Sequence, residues 1–280
     1  MILVNSFDVE PWWTTVPPCV DQSAWADMPD RSEAALAQYL DLCDEAEVKA
    51  TFFVIGWYAA RYPARVAEMI RRGHEVGCHS LHHEDVATLS TDIFRKSTVE
   101  AKEMIEDAAG VAIIAYRAPS FSIPHHHTGR MFQVLAELGF EIDSSVSTAA
   151  RIHGGGFPAV VFAAPLSLEA MYGVRIFEIP VPGVRLFGRD IQLFGGGYLR
   201  VAPWALLSVA MRSEAYQVLY VHAHDFDEEL PALPGGSRAS NLRRRLRYGN
   251  MSNKVRRLFA QADVLSCGQL RDRVMGSHHV

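Results

Sequence analysis

Carboxylates and imidazoles stand where the apolar runs of this sequence stop. Ile2 to Phe7 reads as a buried strand that ends in Asp8-Val9-Glu10, and strand alternation puts both carboxylates on one face. A strand-like run, His74-Glu75-Val76, leads into Gly77-Cys78-His79-Ser80-Leu81-His82-His83. Histidines four positions apart share one side of a helical turn. His79 and His83 so placed close on one metal ion once a third ligand arrives from elsewhere. Arg117 follows the run Ile113 to Tyr116, Asp143 ends the run from Phe140, and His222 ends the run Gln217 to Val221.

The elements that must position these groups alternate between strand and helix, which makes the class α/β with a largely parallel sheet. Thr51 to Ile55 is a buried strand stopped by Gly56, and a helix is expected from Ala59 to Arg72. Ser32 opens a helix to about Glu47, Ser90 caps one that runs to Gly110, and another spans Thr128 to Leu138. Arg175 to Val181 reads as a strand, Gly195-Gly196-Gly197-Tyr198 as a tight turn, and Pro203 as a helix start. In a (β/α) barrel the strand C-termini form one rim, where active sites are built. Five strands feeding polar groups to one rim is a pattern that a core does not require.

Two segments admit two readings. Pro11 to Arg31 carries Trp12, Trp13 and Trp25, and is either a lid packed on the core or a wall on which a sugar stacks. The basic stretch from Arg238 to Arg257, with Arg243-Arg244-Arg245, reads as a solvated helix face. Asp225, Asp227, Glu228 and Glu229 form an acidic loop, and His224 shares the strand face of His222. His125-His126-His127 reads as an exposed helix start and His278-His279 as a frayed end.

Composition narrows the class. A hydrophobic share of 49% with 21% charged residues is that of a globular chain, and a net charge of −5 offers nothing to nucleic acid. Four scattered cysteines, Cys19 among them, argue against a disulfide framework and a cysteine zinc site. No apolar run reaches the roughly 20 residues that span a bilayer, and the first strand begins at once, so a cytoplasmic chain is expected. Residues 1–280 read as one domain, with 226–280 as a C-terminal helical extension.

Asp8-Val9-Glu10, His79-Ser80-Leu81-His82-His83, Arg117-Ala118-Pro119, Asp143-Ser144-Ser145 and Leu219-Tyr220-Val221-His222 resemble, in order, the five motifs of the polysaccharide deacetylases of carbohydrate esterase family four. Phe187-Gly188-Arg189 and Gly195-Gly196-Gly197-Tyr198 are similar to the branch found in bacterial exopolysaccharide gene clusters. The resemblance implies a distorted (β/α)7-type barrel, a divalent metal, usually zinc, and hydrolysis of an acetamide on N-acetylglucosamine-type sugars. It implies Glu10, His79 and His83 as metal ligands and Asp8 as base. Val9 stands where the commonest family pattern has the ligand aspartate, so the reverse assignment of Asp8 and Glu10 stays open. His222 becomes the acid that protonates the leaving amine, Arg117 the holder of the base, and Asp143 the residue that orients His222. Trp12, Trp13, Pro119, Ser120, Phe121, Gly196 and Tyr198 are the expected substrate contacts. Two alternatives remain: a non-haem iron oxygenase, which shares a two-histidine, one-carboxylate triad, and a glycan-binding protein without turnover.

Overall fold

Each apolar run that stops at a polar residue becomes a strand of one curled sheet. The computed structural model describes residues 1–14, 20–149, 156–158, 161–162, 164–186, 188–213, 215–232, 237–246 and 250–276, with side chains except at 126, 213, 240 and 243–245. Cys19, Gly154, Gly155, Phe187, His278, His279 and the side chains of the arginine triplet lie outside the described residues.

The strands are β1 (Ile2–Val9), β2 (Thr51–Val54), β3 (Glu75–Cys78), β4 (Ala115–Tyr116), β5 (Ile142–Asp143), β6 (Leu166–Ser167), β7 (Phe177–Glu178), β8 (Val184–Leu186), β9 (Arg189–Ile191), β10 (Tyr216–His222) and β11 (Asp263–Leu265). The large sheet runs β10-β1-β2-β3-β4-β5-β7-β6, and β8 with β9 forms a separate antiparallel pair. Every pairing in the large sheet is parallel except β6 with β7. The path curls into a half-barrel, the distorted barrel that the family resemblance implies, and its parallel pairing is what the strand–helix alternation implies. One edge of β1 is shared: β11 pairs Ile2 to Val4, and β2 pairs Ser6 to Val9. The C-terminal stretch, read as helical, thus also supplies a strand beside β1.

Register aligns the chemistry. Asp8 lies opposite both His222 and Phe53, Cys78 opposite Tyr116, Tyr116 opposite Asp143, and Asp143 opposite Glu178. The C-terminal ends of seven strands therefore share one rim.

Helices pack outside the sheet with ends set by local chemistry. Ser90 Oγ accepts from Ile93 N at 3.3 Å to start the helix Thr91–Ala109, and left-handed Gly110 (φ 69°) closes it. The single helix expected over 59–72 is two, Gly56–Arg61 and Pro63–Arg71. Proline at 63 lacks the N–H that a continuous helix would use, and it starts the second segment instead.

Candidate active site

The rim begins with alternation on β1. Ser6, Asp8 and Glu10 face the same side, and both carboxylates are almost wholly buried. Burying a carboxylate is costly unless it is paired, and the two are paired differently. Arg117, with no exposed surface, donates from Nη1 to Asp8 Oδ1 at 2.8 Å and to Ser6 Oγ at 2.8 Å. The Arg117 Nη2 bond to Ser144 Oγ and a ring contact with Phe53, 4.1 Å to the centroid, fix the guanidinium plane.

Glu10 instead faces two imidazoles. Its Oε2 lies 2.7 Å from His83 Nε2 and 3.5 Å from His79 Nε2, yet neither Glu10 oxygen has an aligned hydrogen bond. Close ligand atoms without an aligned hydrogen bond between them are able to turn to a common ion. His79 Nδ1 sits 2.8 Å from the Arg117 carbonyl oxygen, to which only a ring N–H can donate, so Nε2 keeps its lone pair for the site. Ligand atoms of Glu10, His79 and His83 all lie within 4.8 Å of one another. Two nitrogens and one carboxylate fit a divalent ion of the zinc type with coordination positions to spare. Burial would raise the Glu10 pKa, but the neighbouring His83, and then His79, hold it well below the ordinary carboxylate range.

The two histidines do not share a helical turn. His79 follows β3 directly, and the loop reverses through left-handed Ser80 (φ 69°) and His83 (φ 63°). The loop is docked by bonds from Gly56 N to Ser80 O (2.9 Å) and Trp57 N to Leu81 O (3.0 Å), which cost nothing in helix geometry. A spacing of four is satisfied as well by this reversal as by a turn of helix.

His222 completes the rim. Its Nε2 is 3.7 Å from Asp8 Oδ2 and 3.7 Å from Glu10 Oε1, and its Nδ1 is 3.1 Å from Asp225 Oδ2. Asp225 Oδ2 also accepts from His222 N at 2.9 Å, a capping arrangement at the start of the short helix Ala223–Phe226. Burial alone would lower the His222 pKa; the Asp225 carboxylate outweighs it and brings the imidazole to about 9. Asp225 is itself held below the usual range by His224, His222 and Arg200, against its own burial. The His224 ring stacks on His222 with centroids 4.9 Å apart, and burial pushes its pKa down to about 3. His222, His224 and Asp225 also cluster closely; there Asp225 Oδ2 accepts from His222 N, and Oδ1 forms an ion pair with Arg200 Nε at 3.1 Å.

Several expectations are corrected here. Asp143 does not orient His222: its carboxylate accepts from Ser145 N (2.9 Å) and Ser145 Oγ (2.8 Å), and it lies opposite Glu178 on β7. Burial raises the pKa of Asp143 and, together with the neighbouring Asp143, lifts that of Glu178 well above the ordinary range. Trp12 and Trp13 offer no stacking face, being 3% and 0% exposed; they pack edge to face, Trp13 meets Trp57, and Trp12 Nε1 donates to Pro29 O at 3.0 Å. The lid reading fits that segment. Gly195 to Tyr198 is not a turn but the start of the helix Gly196–Val201.

The structure thus brings Asp8, Glu10, His79, His83, Arg117 and His222 together. Pro119 and Phe121 are buried beside them, with Phe121 against Tyr220 at 5.0 Å, while Ser120 and Tyr198 are exposed. Ser120 and Phe121 are consecutive left-handed residues, φ 53° and 54°, a strained backbone next to the rim. Asp225 and Ser6 were missed from sequence. The i, i+3 spacing of His222 and Asp225 was the available signal for the first, and the face shared with Asp8 for the second.

Residues 23–142 match the family described as polysaccharide deacetylase, and residues 144–271 match a domain of unknown function, DUF3473. A chitooligosaccharide deacetylase of Sinorhizobium fredii is 36% identical over 83 residues, 29% of this chain and 39% of that protein. A peptidoglycan-N-acetylglucosamine deacetylase of Bacillus cereus is 32% identical over 80 residues, 29% of either protein. The chain spans less than half the length of the curated relatives it matches. A crystal structure of a Mycobacterium smegmatis protein presumed to be a polysaccharide deacetylase superposes with a TM-score of 0.63 at 22% identity, covering 100% of this chain and 91% of that one; it shares the fold. The polysaccharide deacetylase match thus spans 23–142, the stretch that supplies His79, His83 and Arg117. Among the described residues no helix is long and apolar enough to cross a membrane.

Proposed function

We propose that this chain is a metal-dependent hydrolase that removes acetyl groups from N-acetylglucosamine-type sugars of an oligosaccharide or polysaccharide. The observation that carries this reading is the convergence of Glu10, His79 and His83 beside a second carboxylate, Asp8, and an oriented imidazole, His222. The names of the relatives, chitooligosaccharide and peptidoglycan-N-acetylglucosamine deacetylases, supply the sugar class.

Glu10, His79 and His83 would hold the ion, with zinc favoured by two nitrogen donors. A divalent ion so held lowers the pKa of a water to about 7 and polarises a carbonyl. Asp8 keeps one oxygen on Arg117 and leaves Oδ2 facing His222, the position of a base that takes the proton of an attacking water. Arg117 holds that carboxylate in place, and Ser6 and Ser144 hold Arg117. His222 directs Nε2 into the site while Nδ1 is bonded to Asp225, the arrangement of an acid that gives its proton to the departing sugar amine. Asp225 fixes the tautomer in which Nδ1 carries the other proton.

Metal analysis joined to acetate release from an N-acetylglucosamine oligomer tests this. About one zinc per chain is expected, with release that a chelator stops and zinc restores. Glycan binding without acetate would make the chain a binding module. Retained iron with oxygen consumption would make the same triad an oxygenase.

A further inference from the structure

We propose that Arg200, from the DUF3473 half of the chain, is a positioning residue that acts through Asp225 on His222, so that the short helix Gly196–Val201 serves as a brace for the proton donor. The inference rests on the deacetylase reading and adds Arg200 to His222 and Asp225, which lie in the same half of the chain.

Three observations carry it. Arg200 is 8% exposed, and its Nε lies 3.1 Å from Asp225 Oδ1, on the carboxylate oxygen not bonded to His222. A buried guanidinium is costly unless paired, so the two charges hold each other in register. At the start of the same helix, a Cβ on Gly196 would lie 3.2 Å from His222 Cε1 and 3.5 Å from Asp225 Oδ2. The backbone there lies against the imidazole and leaves it little room to swing. At the other end, buried Lys254 donates to the carbonyl oxygens of Leu199 (2.8 Å), Arg200 (2.8 Å) and Ala202 (2.9 Å). A six-residue helix is marginal by itself; here a cation satisfies its last carbonyls. The chain thereby fixes Arg200 at one point, Arg200 fixes Asp225, and Asp225 fixes the ring.

The test uses the full zinc-loaded chain with an N-acetylglucosamine oligomer and compares Arg200→Met, Arg200→Lys, Asp225→Asn and the Arg200→Met/Asp225→Asn pair. Arg200→Met should lower kcat about 10- to 100-fold, the scale of a misplaced catalytic group, with KM and zinc content unchanged. Arg200→Lys should recover most of that loss. Added to Asp225→Asn, Arg200→Met should cost little more, because coupled residues are not additive. The ring-nitrogen spectrum of His222, from 15N-histidine labelling and assigned with His222→Ala, should shift in Arg200→Met. Wild-type kcat in Arg200→Met, or full additivity in the pair, would overturn the brace. Should the wild-type chain release no acetate, the deacetylase reading fails and the spectrum decides alone: an unmoved His222 signal in Arg200→Met removes the brace, and a moved one retains it.

Discussion

Asp225→Asn is the perturbation that separates this site from the assignment made by motif order. The carboxylate makes two contacts to His222, one to the backbone N–H at 2.9 Å and one to Nδ1 at 3.1 Å. A hydrogen bond to a charged group contributes about 1.5–3 kcal/mol. If the Nδ1 bond stabilises the imidazolium as it forms and orients the ring, its loss should lower kcat by about 10- to 150-fold, since about 1.4 kcal/mol is tenfold. An amide that presents its NH2 to Nδ1 favours the wrong tautomer and would push the loss toward the upper end. Asp143→Asn should behave otherwise, because Asp143 bonds Ser145 rather than the ring. The assay is initial-rate acetate release from an N-acetylglucosamine oligomer at saturating zinc, per folded molecule by circular dichroism. A large kcat loss in Asp143→Asn with an unaffected Asp225→Asn would refute the reasoning and restore the motif-based role.

Two other outcomes follow from burial. Trp13→Ala should destabilise the chain by about 3–5 kcal/mol, as deletion of a fully buried aromatic does; urea unfolding measures it, and a raised KM at unchanged stability would favour the sugar wall. Glu178 has its folded pKa raised well above the ordinary value by burial beside Asp143, so its protonated form stabilises the fold at low pH. That stability is present below about pH 4.5 and is lost as pH rises through the folded pKa, at no more than about 1.4 kcal/mol per unit. Glu178→Gln should flatten this slope in unfolding curves taken at several pH values, and an unchanged slope would assign it to other groups.

The rim was legible because a parallel sheet turns sequence order into spatial order: apolar runs ending in Asp8, His79, Arg117, Asp143 and His222 must end at one level. Roles within the rim were less legible. Asp225 reads as part of an acidic loop because a side chain that bonds three residues back leaves no periodicity. Asp143 has the right place on the rim, but its carboxylate bonds Ser145, and Glu178 opposite it was read only as strand interior. Trp12 and Trp13 look the same in sequence whether they face a sugar or the core. Strands of two residues, β4 to β7, are too short for alternation to bound them, and β11 hides in a stretch dominated by its charged helical neighbours.

Metal content and kcat, measured together for Asp8→Asn and Glu10→Gln, test the central claim most directly. Both carboxylates are buried on one face at the end of β1, but Glu10 has the close approach to the imidazoles of His79 and His83 and Asp8 the bond to Arg117. The account predicts that Asp8→Asn keeps its zinc while kcat falls by about 10²–10⁴. Glu10→Gln should lose zinc, with activity partly recovered by excess metal. Loss of zinc in Asp8→Asn with retention in Glu10→Gln would exchange the two roles, and no change of metal or rate in either would contradict the account.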